Sequence, residues 1–272
     1  MLKKVFHSIV YIFALIGFVL VVGYFGVRYG LTNTKGAVDL QREWFLKNAN
    51  AKLDAEPLWA TTEEWKILET AIRRDLPLIN RAATEAGVSP RLIVSNLLTE
   101  QLRLFFTERE FYKQFFFPLK ILGSQTQFSW GVMGIKEATA IEIENHLKDR
   151  TSPFYLGPEH EHALDFNQSD MENIKKARFT RMTDQHDHYW SYLYAGLYLK
   201  QIETQWQNAG MTIGDKPEIL ATLYNIGFDH SKPNSSPSMG GAEITMNNKT
   251  YTFGGLAGEF YYSNLLADIF PR

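Results

Sequence analysis

Ser89-Pro90-Arg91-Leu92-Ile93-Val94-Ser95-Asn96-Leu97-Leu98-Thr99-Glu100-Gln101-Leu102-Arg103-Leu104 is the stretch on which the fold turns. Ser89 stands at the N-cap position, where its hydroxyl can satisfy an orphan amide of the first turn. Pro90 follows at the first helical position, where a missing N–H leaves no bond unmade. Leu92, Ile93, Leu97 and Leu104 then recur at helical spacing, which predicts a helix running to about residue 106. Glu100 interrupts this pattern. Its helical neighbours at minus seven, minus three and plus four are Ile93, Leu97 and Leu104, so a carboxyl group falls on the apolar stripe. Ionising a carboxyl against apolar surface is costly, and the group is expected to keep its proton near neutrality, as a general acid must. The same spacing also allows an ion pair with Arg91 or Arg103 near the helix end.

Working outward, Thr61 and Glu64 have the spacing of a capping box ahead of Trp65, Leu68, Ile72, Leu76 and Ile79, which predicts a helix kinked at Pro77 and stopped by Gly87. On the other side, residues 105–122 are rich in Phe and read as an insertion packed over the core. Residues 123–131 read as a polar loop and 135–147 as a helix. The stretch 151–187 contains Pro, His and Asp with little periodicity and is expected to run over the surface. Helices are predicted over 188–208 and from Pro217 to Gly227, followed by a loop over 231–241. A short hairpin is expected over 243–253 around Asn247-Asn248, and a closing helix over 258–270. The fold class is therefore mainly α, with a possible short β-hairpin.

The N-terminus opens with Lys3 and Lys4 ahead of an uncharged, mostly apolar run over 5–27 that ends at Arg28. At about 1.5 Å per residue a helix of this length spans a hydrocarbon core of roughly 30 Å. The run is longer than the apolar region of a cleavable signal peptide and lacks a small-residue cleavage site, so a retained transmembrane helix is expected. The two lysines place its start in the cytoplasm, making a single-pass protein of the cytoplasmic membrane with its body on the extracytoplasmic side. The expected organisation is an anchor over 1–29, a tether over 30–60 and a globular domain over 61–272. With 28 basic against 30 acidic residues, the chain has a formal charge of −2, which removes the basic field of a general nucleic-acid binder. The chain has no cysteine, which excludes disulfides, thiol nucleophiles and Cys-ligated metals.

Two further motifs follow Glu100. One is Ser129-Trp130-Gly131-Val132-Met133-Gly134-Ile135-Lys136-Glu137-Ala138-Thr139-Ala140, a glycine-containing loop leading into a helix. The other is Ala221-Thr222-Leu223-Tyr224-Asn225-Ile226-Gly227. Singly, each is ordinary helix punctuation. In this order, over roughly residues 61–270, the chain resembles the lytic transglycosylase and goose-type lysozyme group. That group has a helix ending in a catalytic Glu, a Gly-Leu-Met-Gln-Ile-like segment followed by Ala-Thr-Ala, and an Ala-Tyr-Asn-Ala-Gly-like segment. Here Gln101 stands where the group usually has Ser, and Gly134 where it usually has Gln. About thirty residues separate Glu100 from Gly131, more than the common forms have.

The resemblance implies a lysozyme-like helical domain that cleaves peptidoglycan glycan strands, with Glu100 as the single acid/base and no cofactor or metal. It implies substrate-binding roles for Gln127, Ser129, Met133, Tyr224, Asn225 and Tyr261. Met133 would line the cleft floor, Tyr224 would hydrogen-bond Glu100, and Asn225 would hold the loop or the sugar. Structural roles remain open for all three. If water attacks instead, Glu108, Glu110 or Asp229 would serve as base. An alternative of another class is a catalytically inactive lysozyme-fold module that binds peptidoglycan or scaffolds an envelope complex. His160, His162, His186 and His188 form two His-acid-His units. These read as solvated loop residues more readily than as metal ligands, since no His-Glu-x-x-His helix is present.

Overall fold

The computed structural model of the protein describes residues 13–19, 21–22, 57–107, 130–167 and 170–272. The chain divides into two units, Met1–Gln41 and Arg42–Arg272. The described residues of the first are helical. Among the described residues, no helix is long and apolar enough to cross a membrane. Much of the expected span over 5–27 lies outside them, as do the tether to residue 56 and the aromatic segment after Thr107.

The second unit is mainly α-helical with one two-stranded antiparallel sheet. Helix α1 is Glu63–Arg74, and its cap is Thr62, whose hydroxyl accepts from the Trp65 amide at 3.2 Å. The expected cap, Thr61, is already wound into a 3-10 turn over Leu58–Thr61. That turn buries Trp59 edge-on against Trp65. Pro77 lies in the first turn of a new helix, α2 (Leu76–Ala86), so the chain breaks at Asp75 instead of kinking. Gly87, with φ of 69°, closes α2.

Helix α3 (Pro90–Thr107) is buried on every side between residues 91 and 102, not along one stripe. Its polar residues tolerate this because they bond their own backbone. Ser95 donates to the Leu92 carbonyl at 2.8 Å, Asn96 to the same carbonyl at 2.9 Å, and Thr99 to Ser95 at 2.8 Å. Each buried Leu or Ile on it contributes about 1.5–3 kcal/mol.

The chain continues through α4 (Glu137–Lys148), α5 (Met171–Thr183), α6 (Tyr189–Asn208) and α7 (Pro217–Ile226). Helix α5 lies in the stretch expected to lack regular structure. It buries only Arg178 and Met182, so no apolar period marks it. Asp170 caps it by accepting from the Asn173 amide at 2.9 Å. Arg178 then ties it down by donating to Glu144 at 2.6 and 2.7 Å, a carboxylate that also accepts from the Tyr194 hydroxyl at 2.5 Å.

The hairpin pairs β1 (Glu243–Met246) with β2 (Lys249–Thr252), Ile244 opposite Tyr251. Asn247 and Asn248 form the turn with φ of 50° and 61°, as a two-residue hairpin requires. The closing helix, α8 (Phe253–Tyr262), begins directly after β2 and earlier than expected, with the Thr252 hydroxyl accepting from the Gly255 amide at 3.1 Å. Its glycines serve contact: a Cβ on Gly254 would lie 2.1 Å from Thr222 Oγ1.

Helices α1, α2, α6, α7 and α8 and strand β1 all pack on α3. One buried residue locks this arrangement. Arg91 donates to the carbonyls of Phe260, Tyr261, Ser263, Leu265 and Phe270 at 2.7–3.0 Å. Burial pulls its pKa down to about 10, with Arg272 adding to the effect. A second polar joint is Asp75, which accepts from Arg74 Nε at 2.8 Å and from the Tyr192 hydroxyl at 2.8 Å and bonds His188 at 2.5 Å. Burial opposes the Asp75 carboxylate, but these partners win and hold its pKa at about 2.

Candidate active site

Glu100 lies in the C-terminal half of α3, its side chain 5% exposed. Arg103, one turn further along and 24% exposed, grips it with Nη2 donating to Oε1 at 2.6 Å and Nε donating to Oε2 at 3.2 Å. Of the two partners the spacing allowed, the structure selects Arg103, since Arg91 is committed to the C-terminal carbonyls. Two effects act in opposite directions on the charge of this carboxyl. Burial disfavours the carboxylate, but a guanidinium bonding both its oxygens favours it.

The second motif faces this carboxyl as a tight turn over 130–135. The Trp130 amide donates to the Ile135 carbonyl at 2.9 Å, closing the turn, and the Trp130 ring meets Phe179 edge-on at 5.3 Å. Three features fasten the turn beside α3. Gln101 Nε2 donates to the Val132 carbonyl at 2.6 Å. The Tyr224 hydroxyl donates to the Met133 carbonyl at 2.7 Å. Gly134, with φ of 63°, lies directly on the Glu100 carboxyl, where a Cβ would come within 2.1 Å of Oε1 and 2.5 Å of Cδ. A side chain at 134 would collide with the carboxyl and strain the backbone together. This accounts for Gly in a place where the resembled group carries Gln.

Tyr224 belongs to α7 and is buried. Burial pushes its pKa well above 10, and the charge of Glu100 pushes it in the same direction, so the phenol stays a donor. Its hydrogen bond goes to the Met133 carbonyl and not to Glu100 as expected. Tyr224 therefore shapes the wall of the site and does not hold the acid itself. The Met133 side chain is 0% exposed, so its expected place on the cleft floor is corrected to the core. Only its carbonyl serves the site. Asn225 holds the loop: its Oδ1 accepts from the Ala242 amide at 2.8 Å. Thr222 strengthens the same strap by accepting from the Gly240 amide at 2.9 Å.

Tyr261 is brought elsewhere. Its carbonyl accepts from Arg91 and its ring lies edge-on to Tyr262. Arg91 precedes Glu100 by about 13 Å of helix rise, and long helical side chains lean toward the N-terminus, further from the acid. Gln127 and Ser129 lie outside the described residues, as do Glu108 and Glu110. Asp229 is exposed in a 3-10 turn over Phe228–His230. It and Glu142 flank Tyr198, whose ring is 5.1 Å from that of Tyr224. Burial raises the pKa of Tyr198, with Glu142 and Asp229 adding to the shift.

Among the described residues, no group of three or more acidic or His side chains is placed to hold a metal. His162 bonds Asp165 at 2.7 Å on the surface, whereas His188 is buried against Asp75. Sequence reasoning missed the working roles of Gln101 and Gly134, which it met only as departures from a motif. For Arg103 the signal was present, since a basic residue three positions after a buried Glu on a helix shares its face.

No family model, curated protein or solved structure matches the chain.

Proposed function

We propose that the protein cleaves the glycan strands of peptidoglycan as a membrane-anchored lytic transglycosylase with a lysozyme-like domain, using Glu100 as its single acid/base. The observation that carries this reading is the meeting of the three motifs at one carboxyl: Glu100 on α3, Gly134 against its oxygens, and Tyr224 fastening the turn that bears Gly134. Motifs far apart in the chain that only punctuated helices would have no reason to converge there.

In this mechanism the Glu100 carboxylic acid donates its proton to the glycosidic oxygen between N-acetylmuramic acid and N-acetylglucosamine, and the C1–O bond breaks. The acetamido oxygen of the muramyl residue supports the developing positive charge at C1, so a second protein carboxylate is not required, unlike the usual two-carboxylate scheme. The Glu100 carboxylate then takes the proton of the muramyl 6-hydroxyl, whose oxygen bonds C1. A 1,6-anhydro end forms and the acid is restored.

One observation favours a second reading, a catalytically silent glycan-binding or scaffolding module. Arg103 donates to both oxygens of Glu100, a contact that favours the carboxylate over the acid a proton donor needs. Incubating the full-length chain with purified sacculi and analysing the fragments by mass spectrometry separates the two. Anhydro-muropeptides that disappear with Glu100→Gln support the transglycosylase, and reducing ends indicate attack by water. Binding without any cleavage supports the silent module and overturns the enzymatic reading.

A further inference from the structure

Helix α5 buries Arg178 and Met182 on one side, and its other side lines a cavity of about 380 Å³. Asn173, Lys176, Ala177, Thr180 and Arg181 fall at steps of three and four residues, which puts them on one face of the helix. Asn167 adds a wall from the preceding loop. The volume is within the range of small-ligand sites, roughly 300–1,000 Å³. Arg181 fastens this loop to the helix. Its guanidinium lies 4.0 Å from the centre of the Phe166 ring and 4.2 Å from a ring of Trp190, and it donates to the Leu164 carbonyl at 3.1 Å and the Asp165 carbonyl at 2.6 Å. A cation held by two rings and two carbonyls keeps its remaining N–H groups in place for a ligand.

The charge on this face is not compensated by the protein. Among the described residues, neither Lys176 nor Arg181 forms an ion pair. The carboxylates around them are engaged elsewhere: Asp165 with Lys148 and His162, Glu144 with Arg178 and Tyr194, Glu137 with Lys175, and Asp170 as the cap of α5. Glu172, one turn before Lys176, does not pair with it. Two cations that line one cavity repel each other, and a bound anion relieves that repulsion. Between them stand neutral groups that both donate and accept. Asn167 and Thr180 make no side-chain hydrogen bond among the described residues, and Asn173 uses its Nδ2 on Asp170 and keeps its carbonyl oxygen. Amides and a hydroxyl beside two cations suit a carboxylate that is attached to a peptide bond.

We propose that this cavity binds a carboxylated peptide, with Lys176 and Arg181 taking the carboxylate and Asn167, Asn173 and Thr180 the adjoining amide. Helix α5 is built against the turn of the candidate active site. Phe179, one turn after Lys176, meets the Trp130 ring at 5.3 Å, and a Cβ on Gly131 would lie 2.1 Å from the Met182 carbonyl oxygen. On the glycan-cleaving reading, on which the source of the peptide rests, a strand lying at that turn carries its stem peptides past α5, and the cavity anchors one of them.

The test titrates the full-length protein with three probes in a calorimeter: the stem peptide released from sacculi, the same peptide with its carboxylates converted to amides, and acetate. The free peptide should bind about tenfold more tightly than either of the others, the discrimination expected of a charge-assisted hydrogen bond. Lys176 is exposed, so its replacement leaves the fold intact. Lys176→Gln should remove the preference and Lys176→Arg should keep it, whereas Lys175→Gln, at the neighbouring lysine that faces Glu137, should not alter it. No binding of the peptide, equal binding of its amidated form, or acetate binding as tightly overturns the inference. For the source, peptide-bearing strands should lose affinity about tenfold between Glu100→Gln and Glu100→Gln/Lys176→Gln, and peptide-free strands should show no such loss. Equal losses on both strands, or none on either, overturn the assignment to the stem peptide. Selective peptide binding by a chain that cleaves nothing upholds the cavity and overturns the enzymatic reading alone, and cleavage without peptide binding does the reverse.

Discussion

Replacing Gly134 by Ala tests the centre of the site, and Gly87 supplies its control. The two glycines have nearly the same backbone, φ of 63° and 69°, but differ in what a methyl group would meet. At Gly87 nothing lies within 4 Å, whereas at Gly134 the added Cβ would be 2.1 Å from Glu100 Oε1. The left-handed conformation alone costs an L-residue about 1–2 kcal/mol, and both variants incur it. At Gly134 something must also move. The turn is held by Gln101 and Tyr224, so the carboxyl gives way and loses one of its two bonds to Arg103, at about 1.5–3 kcal/mol for a hydrogen bond to a charged group. Gly87→Ala is thus expected to lose about 1–2 kcal/mol and Gly134→Ala about 3–5 kcal/mol in urea unfolding of the full-length chain, with the m-value unchanged. Glycan cleavage should be abolished by Gly134→Ala and unaffected by Gly87→Ala. Gly134→Gln, which installs the residue of the resembled group, should fail for the same reason. Losses for the two Ala variants that agree within about 0.5 kcal/mol would refute the contact between Gly134 and Glu100.

Further perturbations probe the joints around this centre. The pKa of Asp75 is depressed from 3.8 to about 2, so its contribution is fully present above pH 3.8 and is lost as pH falls through 2. That shift corresponds to about 2 kcal/mol, and Asp75→Asn should destabilise the protein by a similar amount at neutral pH while flattening the acid limb of a stability–pH curve. An unchanged slope between pH 4 and 2 would show that the carboxylate is not paired. Arg91→Met should strand five carbonyls and lose at least about 3 kcal/mol, seen as a collapse of amide-exchange protection over residues 260–270. Tyr224→Phe removes the donor to Met133 and should lose about 1–3 kcal/mol and lower glycan cleavage; retention of both would mean the turn holds without it.

The parts of the fold legible in the sequence are those with a local physical signature. Ser89-Pro90 marks the start of α3, and Asn247-Asn248 marks a turn that only residues tolerant of positive φ make readily. Helix α5 gave no such sign, because it is held by the Arg178 and Glu144 pair and a cap at Asp170 instead of an apolar face. The start of α8 was obscured by Gly254, Gly255 and Gly258. Glycine usually breaks helices, but in α8 it admits Thr222 and Glu218 at close range. At the site, Glu100 stood out as a carboxyl among aliphatic neighbours, and Tyr224 and Asn225 stood out through their motif. Their partners did not, since Tyr224 and Asn225 both bond main-chain atoms, and a carbonyl or amide has no letter in a sequence. Arg91 was hidden for the same reason, with all its acceptors on the backbone.

That last arrangement bears on how the chain is made. The carbonyls that satisfy Arg91 lie 169 to 179 residues downstream, so on a ribosome the first turn of the innermost helix emerges long before its acceptors exist. Until then a cationic group must remain hydrated in a segment that is otherwise drawn inward, which opposes closure of the nascent body around it. Stalled nascent chains ending before residue 260 should accordingly remain protease-sensitive throughout residues 90–107, and acquire resistance only after the closing segment clears the exit tunnel.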